Sequence, residues 1–203
     1  MKVKDILKLG IVLALFASAA CVLLAGVYVF TKDAKEKQDR IRTEKSLKTL
    51  FPDLETFRPL EPSALSLGDG GVEAKEVYAV ERRGVLIGLA VTATGKSYSG
   101  RATVMTGVGL DGKIAGIKIL ELNDTPGLGQ NAKKPKYYVD RKRKITWFGQ
   151  FDGLNADSSF EVGKDVQAIT GSTITSRSLS AIVKASAYAG SAYIAARAQG
   201  ASE

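Results

Sequence analysis

The sequence has no histidine, and Cys21 is its single cysteine in 203 residues. Each absence removes a class of chemistry. Without histidine there is no Ser-His-Asp or Cys-His site and no imidazole-bound metal. With one cysteine there is no internal disulfide and no cysteine-bound zinc or iron–sulfur cluster. Acid–base work would fall to Asp, Glu, Lys or Tyr, and no catalytic residue or metal-ligand set stands out among them. Any redox chemistry must therefore come from a bound organic cofactor. Repeats and low-complexity tracts are also lacking. Acids are fewer than bases: 21 Asp and Glu against 29 Lys and Arg, a net charge of +8.

The positive charge is densest at Lys133, Lys134, Lys136, Arg141, Lys142, Arg143 and Lys144, with Tyr137 and Tyr138 between them. Basic residues interleaved with aromatics suit a nucleic-acid face. A membrane-attached domain rarely meets nucleic acid, so the reading here is a solvated face, or contact with lipid headgroups or a partner subunit.

That attachment is read from the N-terminus. Residues 1–8 form a short basic tail, and Leu9 to Phe30 follows without a charge. The run is long enough to span a bilayer, which needs about 20 apolar residues. Its small residues, among them Gly10, Ala17, Ala25 and Gly26, permit close helix packing in lipid. A cleaved signal peptide is the rival, since Ser18-Ala19-Ala20-Cys21 resembles a lipoprotein cleavage site. The apolar run continues nine residues past Cys21, longer than a signal-peptide core allows, so an uncleaved anchor is expected. Charge leaves the orientation open, because Lys and Arg flank the span on both sides.

Residues 31–73 read as a helical extension and linker. Thr31 to about Leu50 carries charges with spaced apolar residues and should continue as helix. Pro52, Pro59 and Pro62 end it, and Gly68-Asp69-Gly70-Gly71 marks a loop. The globular part, residues 74–203, opens with strand patterns at Glu76–Glu81, Val85–Val91 and Ala102–Val108. Asp111-Gly112 signals a hairpin whose far side is Lys113–Leu120. Lys136–Gly149 reads as partly helical, with Trp147 and Phe148 packing on the sheet. An Ala-rich helix pattern runs from Arg177 to about Arg197. The fold class is α+β: one transmembrane helix, an antiparallel sheet and a C-terminal helix.

Just before that last helix, Thr170, Ser172, Thr173, Thr175 and Ser176 crowd around Gly171. Hydroxyls at a helix start cap its free amides, and the same amides with the helix dipole suit a phosphate. A second glycine-containing loop lies about forty-five residues upstream, at Thr125-Pro126-Gly127-Leu128-Gly129. Its glycines let backbone approach a ligand, and its proline fixes the turn.

These two stretches carry a family resemblance. Asp165 followed by Thr170-Gly171-Ser172-Thr173 resembles the flavinylation motif of FMN-binding domains in bacterial redox pumps. Independently, Tyr98-Ser99-Gly100-Arg101, the strand Thr103–Val108, Asp111–Ile117 and Asn123–Gly129 resemble the same domain in order and spacing; Asp124 stands where Glu is usual. Two families share this anchor-plus-domain plan, the G subunit of the Rnf ion-translocating ferredoxin:NAD oxidoreductase and the usually longer C subunit of the sodium-pumping NADH:quinone reductase. The length here resembles the former.

The resemblance implies FMN joined through its phosphate to the Thr173 hydroxyl by a flavin transferase, which would recognise Asp165. It implies that Thr170, Gly171, Ser172 and Thr175 surround the phosphate, and that Thr125, Gly127, Leu128 and Gly129 line the isoalloxazine. Tyr98 and Trp147 are candidates to stack on the ring or to fill the core. The implied role is electron relay beside other integral membrane and iron–sulfur or flavin subunits. The tail would be cytoplasmic, with the domain on the outer face of the inner membrane. A non-redox anchored scaffold is the alternative from another class, and it would not need the Thr173 hydroxyl.

Overall fold

The computed structural model describes residues 3–68 and 70–200. The first two residues of the expected tail and Asp69 of the expected loop lie outside the described residues. The chain divides into two compact units, one up to Lys45 and one from Ser46 onward.

Helix α1, Val3–Leu50, accounts for the described residues of the first unit. Its large apolar residues from Ile11 to Phe30 are exposed along the helix. Among the described residues, this is the one helix long and apolar enough to cross a membrane. Residues 31–50 continue it as helix, and residues 3–8 of the basic tail are already helical.

The second unit is built on a five-stranded antiparallel meander: β1 (Thr56–Leu60), β2 (Glu73–Arg82), β3 (Val85–Lys96), β4 (Arg101–Gly109) and β5 (Ile114–Leu122), neighbours in that order. The turns are the ones the sequence signals. Arg83 and Gly84 take positive φ (51° and 74°) between β2 and β3. Gly112 does so (72°) between β4 and β5.

Strand β3 is central and buried on both faces. Leu89 and Ala93 join Val104 and Val108 under helix α2 (Thr173–Gly200), which contributes Leu179, Ile182, Val183 and Ala187. On the opposite face Ala90 and Met105 pack with Val80 under Leu47, Leu50, Phe51 and Leu54. Phe51 lies on a floor of two glycines. A Cβ on Gly88 would come 2.7 Å from its ring, and one on Gly107 would come 2.9 Å from it.

Three sequence expectations change. Residues 52–73 are not all connector, because β1 pairs with β2 from Thr56↔Glu81 to Leu60↔Val77. Residues 136–149 contain no helix. They form a small hairpin, β6 (Tyr138–Asp140) and β7 (Ile145–Thr146). The Asp140 carboxylate accepts the Arg143 amide (2.9 Å) and Lys144 is left-handed (φ 56°), so the chain turns back where a helix would go on. Helix α2 also starts earlier than its Ala-rich pattern, at Thr173 rather than Arg177.

Candidate functional site

The segment before α2 is stitched by one side chain. Ser176 Oγ accepts the Ile169 amide and donates to the Ser172 carbonyl, both at 2.9 Å. The Ser172 amide donates to the Ile169 carbonyl (2.9 Å), and Gly171 turns the chain at φ 72°. Helix α2 therefore begins on a fixed platform. The amides of Thr173, Ile174 and Thr175 occupy its first turn, where no helical acceptor exists. Ser172 stands immediately before them, yet its buried Oγ has no hydrogen-bond partner. A buried hydroxyl left unpaired is unfavourable by about 1–3 kcal/mol, and of the buried unpaired polar side-chain atoms among the described residues Ser172 Oγ alone lies at this turn.

Opposite lies the loop after β5. The Thr125 carbonyl accepts the Leu128 and Gln130 amides (3.2 and 3.3 Å), and Gly127 (φ 77°) makes the turn. Gly129 is required for a different reason. A Cβ there would stand 2.6 Å from Thr175 Oγ1 and 2.8 Å from the Asp124 Cβ. The two loops can close on each other only because this residue has no side chain.

Asp124 joins them. It is 2% exposed and accepts Ser97 Oγ (2.6 Å), Thr175 Oγ1 (2.7 Å) and the Ser99 amide (2.9 Å). Burial pushes its carboxyl up, but the hydrogen bonds from Ser97, the Ser99 amide, Thr175 and the Tyr98 amide outweigh it. The pKa therefore lies below the ordinary carboxylate value. One ionised side chain ties the end of β3, the loop after β5 and the first turn of α2.

Between the two loops is a cleft of about 410 Å³, a usual size for a small-molecule site, about 300–1,000 Å³. Of the residues expected at a site, the cleft brings together Thr125, Leu128, Gly129, Gly171, Ser172, Thr173 and Thr175, along with Tyr98. Ile174 completes the lining and was not anticipated. Gly127 and Thr170 flank the cleft without lining it, the first supplying its carbonyl to Asn131 Nδ2 (2.6 Å).

Asp165 is also outside the cleft. It accepts Ser159 Oγ (2.5 Å) and the Phe160 amide (2.9 Å), and these bonds, that from Ser159 foremost, lower its pKa. Trp147 is fully buried against Phe151, with ring centroids 5.4 Å apart. It is a core residue and does not reach the cleft. Sequence reading marks Asp124 only as part of the Asn123–Gly129 stretch and gives it no role, because its partners Ser97 and Thr175 are 27 and 51 positions away.

A phosphate-bearing aromatic ligand fits these residues. The free amides and the orphaned Ser172 hydroxyl suit the phosphate, while Tyr98, Leu128 and Ile174, all exposed, offer surface to a flat ring. Fold and cleft thus define an α+β binding domain for such a ligand. Residues 97–187 match the family described as the FMN-binding domain, and residues 1–50 match the RnfG N-terminal region. The chain is 33% identical over 198 residues, 90% of each chain, to the G subunit of the Na(+)-translocating ferredoxin:NAD(+) oxidoreductase complex of Acetobacterium woodii. To the G subunit of the proton-translocating ferredoxin:NAD(+) oxidoreductase complex of Clostridium ljungdahlii it is 30% identical over 164 residues, 80% of each. To the G subunit of the ion-translocating oxidoreductase complex of Shewanella piezotolerans it is 28% identical, covering 89% of this chain and 87% of that one. The chain belongs to the RnfG family and is membrane-anchored.

Proposed function

We propose that this chain is an electron-transfer subunit of a membrane-bound, ion-translocating ferredoxin:NAD oxidoreductase. It would carry FMN in the cleft, joined through its phosphate to Thr173. The observation that carries the reading is the orphaned Ser172 hydroxyl beside the free amides at the start of α2, inside the segment that matches an FMN-binding domain.

When bound, the flavin supplies redox chemistry of one or two electrons. The chain's own residues do the holding. The amides of Thr173, Ile174 and Thr175 and the Ser172 hydroxyl would hold the phosphate as donors. Thr175 Oγ1 gives its proton to Asp124, so toward a ligand it can only accept. Tyr98 and Leu128 would offer the ring apolar surface.

Thr173 is the first residue of α2, exposed, and lines the cleft. Ester formation needs its hydroxyl proton removed while a phosphorus–oxygen bond breaks on the flavin donor. A threonine hydroxyl is weak without a base, and this chain has no histidine to act as one. A flavin transferase supplies the base in this reading and reads Asp165, whose bonds to Ser159 and Phe160 fix the preceding loop.

The apolar helix is the anchor, with the tail cytoplasmic and the domain on the outer face of the membrane. Covalent attachment makes sense there, since a dissociated flavin would be lost. A single span without internal charge makes a poor ion path, so ion movement belongs to other subunits. The match to the RnfG N-terminal region favours this complex over the related quinone reductase.

The test compares wild type with Thr173→Ala, each expressed beside a flavin transferase, by intact mass and by fluorescence after denaturation. Denaturation-resistant flavin in wild type alone is the expected result. Its absence from wild type, with the transferase active on a control substrate, would leave a loosely bound flavin or a scaffold.

A further inference from the structure

A second concavity, about 320 Å³, is formed by the last turn of α1, β5 and the segments on either side of the β6–β7 hairpin. Leu50, Ile117, Pro135 and Phe148 give it an apolar lining, and Lys133 and Asp152 are its charged edges. Lys118 also lines it and is held by Ser46 Oγ at 3.1 Å. None of these residues belongs to the flavin cleft.

Pro135 and Phe148 are the two feet of the β6–β7 hairpin, so the hairpin springs from the rim of this groove. Its base is rigid. The Trp147 amide donates to the Tyr137 carbonyl (2.9 Å), and the Trp147 ring is buried. Its tip is Arg141, Lys142, Arg143 and Lys144, all exposed. From Lys133 to Lys144 there are seven Lys and Arg and one acid, Asp140, which is six of the chain's net eight positive charges. Arg143 meets Asp140 at 3.8 Å, and among the described residues the other six meet no carboxylate within salt-bridge distance. A rigid ribbon that concentrates like charges and leaves them unpaired is self-repelling, and an acidic surface would relieve it.

We propose that the groove and the basic hairpin together dock an acidic segment of another subunit of the complex. Its carboxylates would meet the hairpin, and one apolar side chain would fill the groove. This rests on the complex membership proposed above. A bilayer surface would satisfy the charge, but flat headgroups leave an apolar concavity beside it unfilled. A protein segment satisfies both, with the charges steering its approach and fixing its register.

The test uses the intact detergent-solubilised complex. In wild type, carbodiimide should cross-link the lysines of residues 133–144 to Asp or Glu of one partner subunit. In the double variant Arg141→Glu, Lys142→Glu that cross-link should weaken, and the chain should leave the complex at about half the salt concentration. Filling the groove with Ala115→Trp should weaken retention without changing the charge. Unchanged circular dichroism and flavin content show that the variants are folded.

Equal salt release for wild type and the charge variant, with no cross-link from these lysines, overturns the docking proposal alone. A wild-type chain that co-purifies with no redox subunit overturns it together with the complex reading. The last outcome is read in proteoliposomes of this chain alone, with a fluorophore on Lys142→Cys in a Cys21→Ser background. A spectral shift that appears only when half the lipid is phosphatidylglycerol, with salt release from the complex unchanged, overturns it in favour of the bilayer.

Discussion

Asp124 is the residue on which most of the cleft depends. Removing its carboxylate in Asp124→Ala strands the Ser97 and Thr175 hydroxyls, both buried, and should destabilise the domain by roughly 3 kcal/mol. Its pKa is depressed in the fold, so its contribution is complete above the unfolded value of about 3.9 and is lost as pH falls through the folded value. Urea midpoints of wild type and Asp124→Asn should therefore differ at neutral pH and converge in acid below about pH 4.

Ser172 predicts the opposite pattern. Its hydroxyl makes no bond in the protein, so without ligand Ser172→Ala should lose no stability and should gain up to about 1–3 kcal/mol. The same change should lower the flavin-to-protein ratio after loading. Read from sequence, the hydroxyl-rich turn and the Thr-Pro-Gly loop were both legible as site material. What each hydroxyl does was not, because the distinction lies in partners far away in the chain. Thr175 is spoken for by Asp124, Ser176 by its own loop, and Ser172 by nothing.

At the scale of elements, α2 covers one face of the sheet and Phe51, with Leu47, Leu50 and Leu54, covers the other. Phe51→Ala would empty the space above Gly88 and Gly107 and should cost about 3–5 kcal/mol, read as a fall in denaturation midpoint. The four longer strands were visible in the sequence because alternation and turn signals agree. Strand β1 was hidden by Pro59, which reads as a breaker but is tolerated in this edge strand, where β2 is the one neighbour among the described residues. The β6–β7 hairpin was hidden by its charges, since a run of Arg and Lys looks helical until Asp140 caps the turn. Helix α2 begins before its apolar periodicity does, because its first turn faces the cleft rather than the core.

For the whole molecule, the second unit begins at Ser46, and the α1 residues Leu47 and Leu50 belong to its core. A fragment of residues 46–203 should be soluble and melt cooperatively by circular dichroism. One starting at residue 74 lacks β1 and bares Val80, Ala90 and Met105, and it should aggregate or melt without a sharp transition. The anchor and the α+β class were plain from composition and periodicity alone. The depth to which the end of the first helix enters the second unit was not, because four apolar residues in a charged stretch give too weak a period.

The tightness of the cleft has a consequence for speed. Its walls meet at a glycine with no room for a methyl group, and a buried carboxylate clamps three segments together. Such a site cannot relax far when the charge on its ligand changes. An electron arriving there would find dipoles already aimed and little matter to rearrange, so the barrier set by the protein's own adjustment would be small. In an electron relay, stiffness of this kind governs how quickly charge passes through, apart from any question of how tightly the flavin is held.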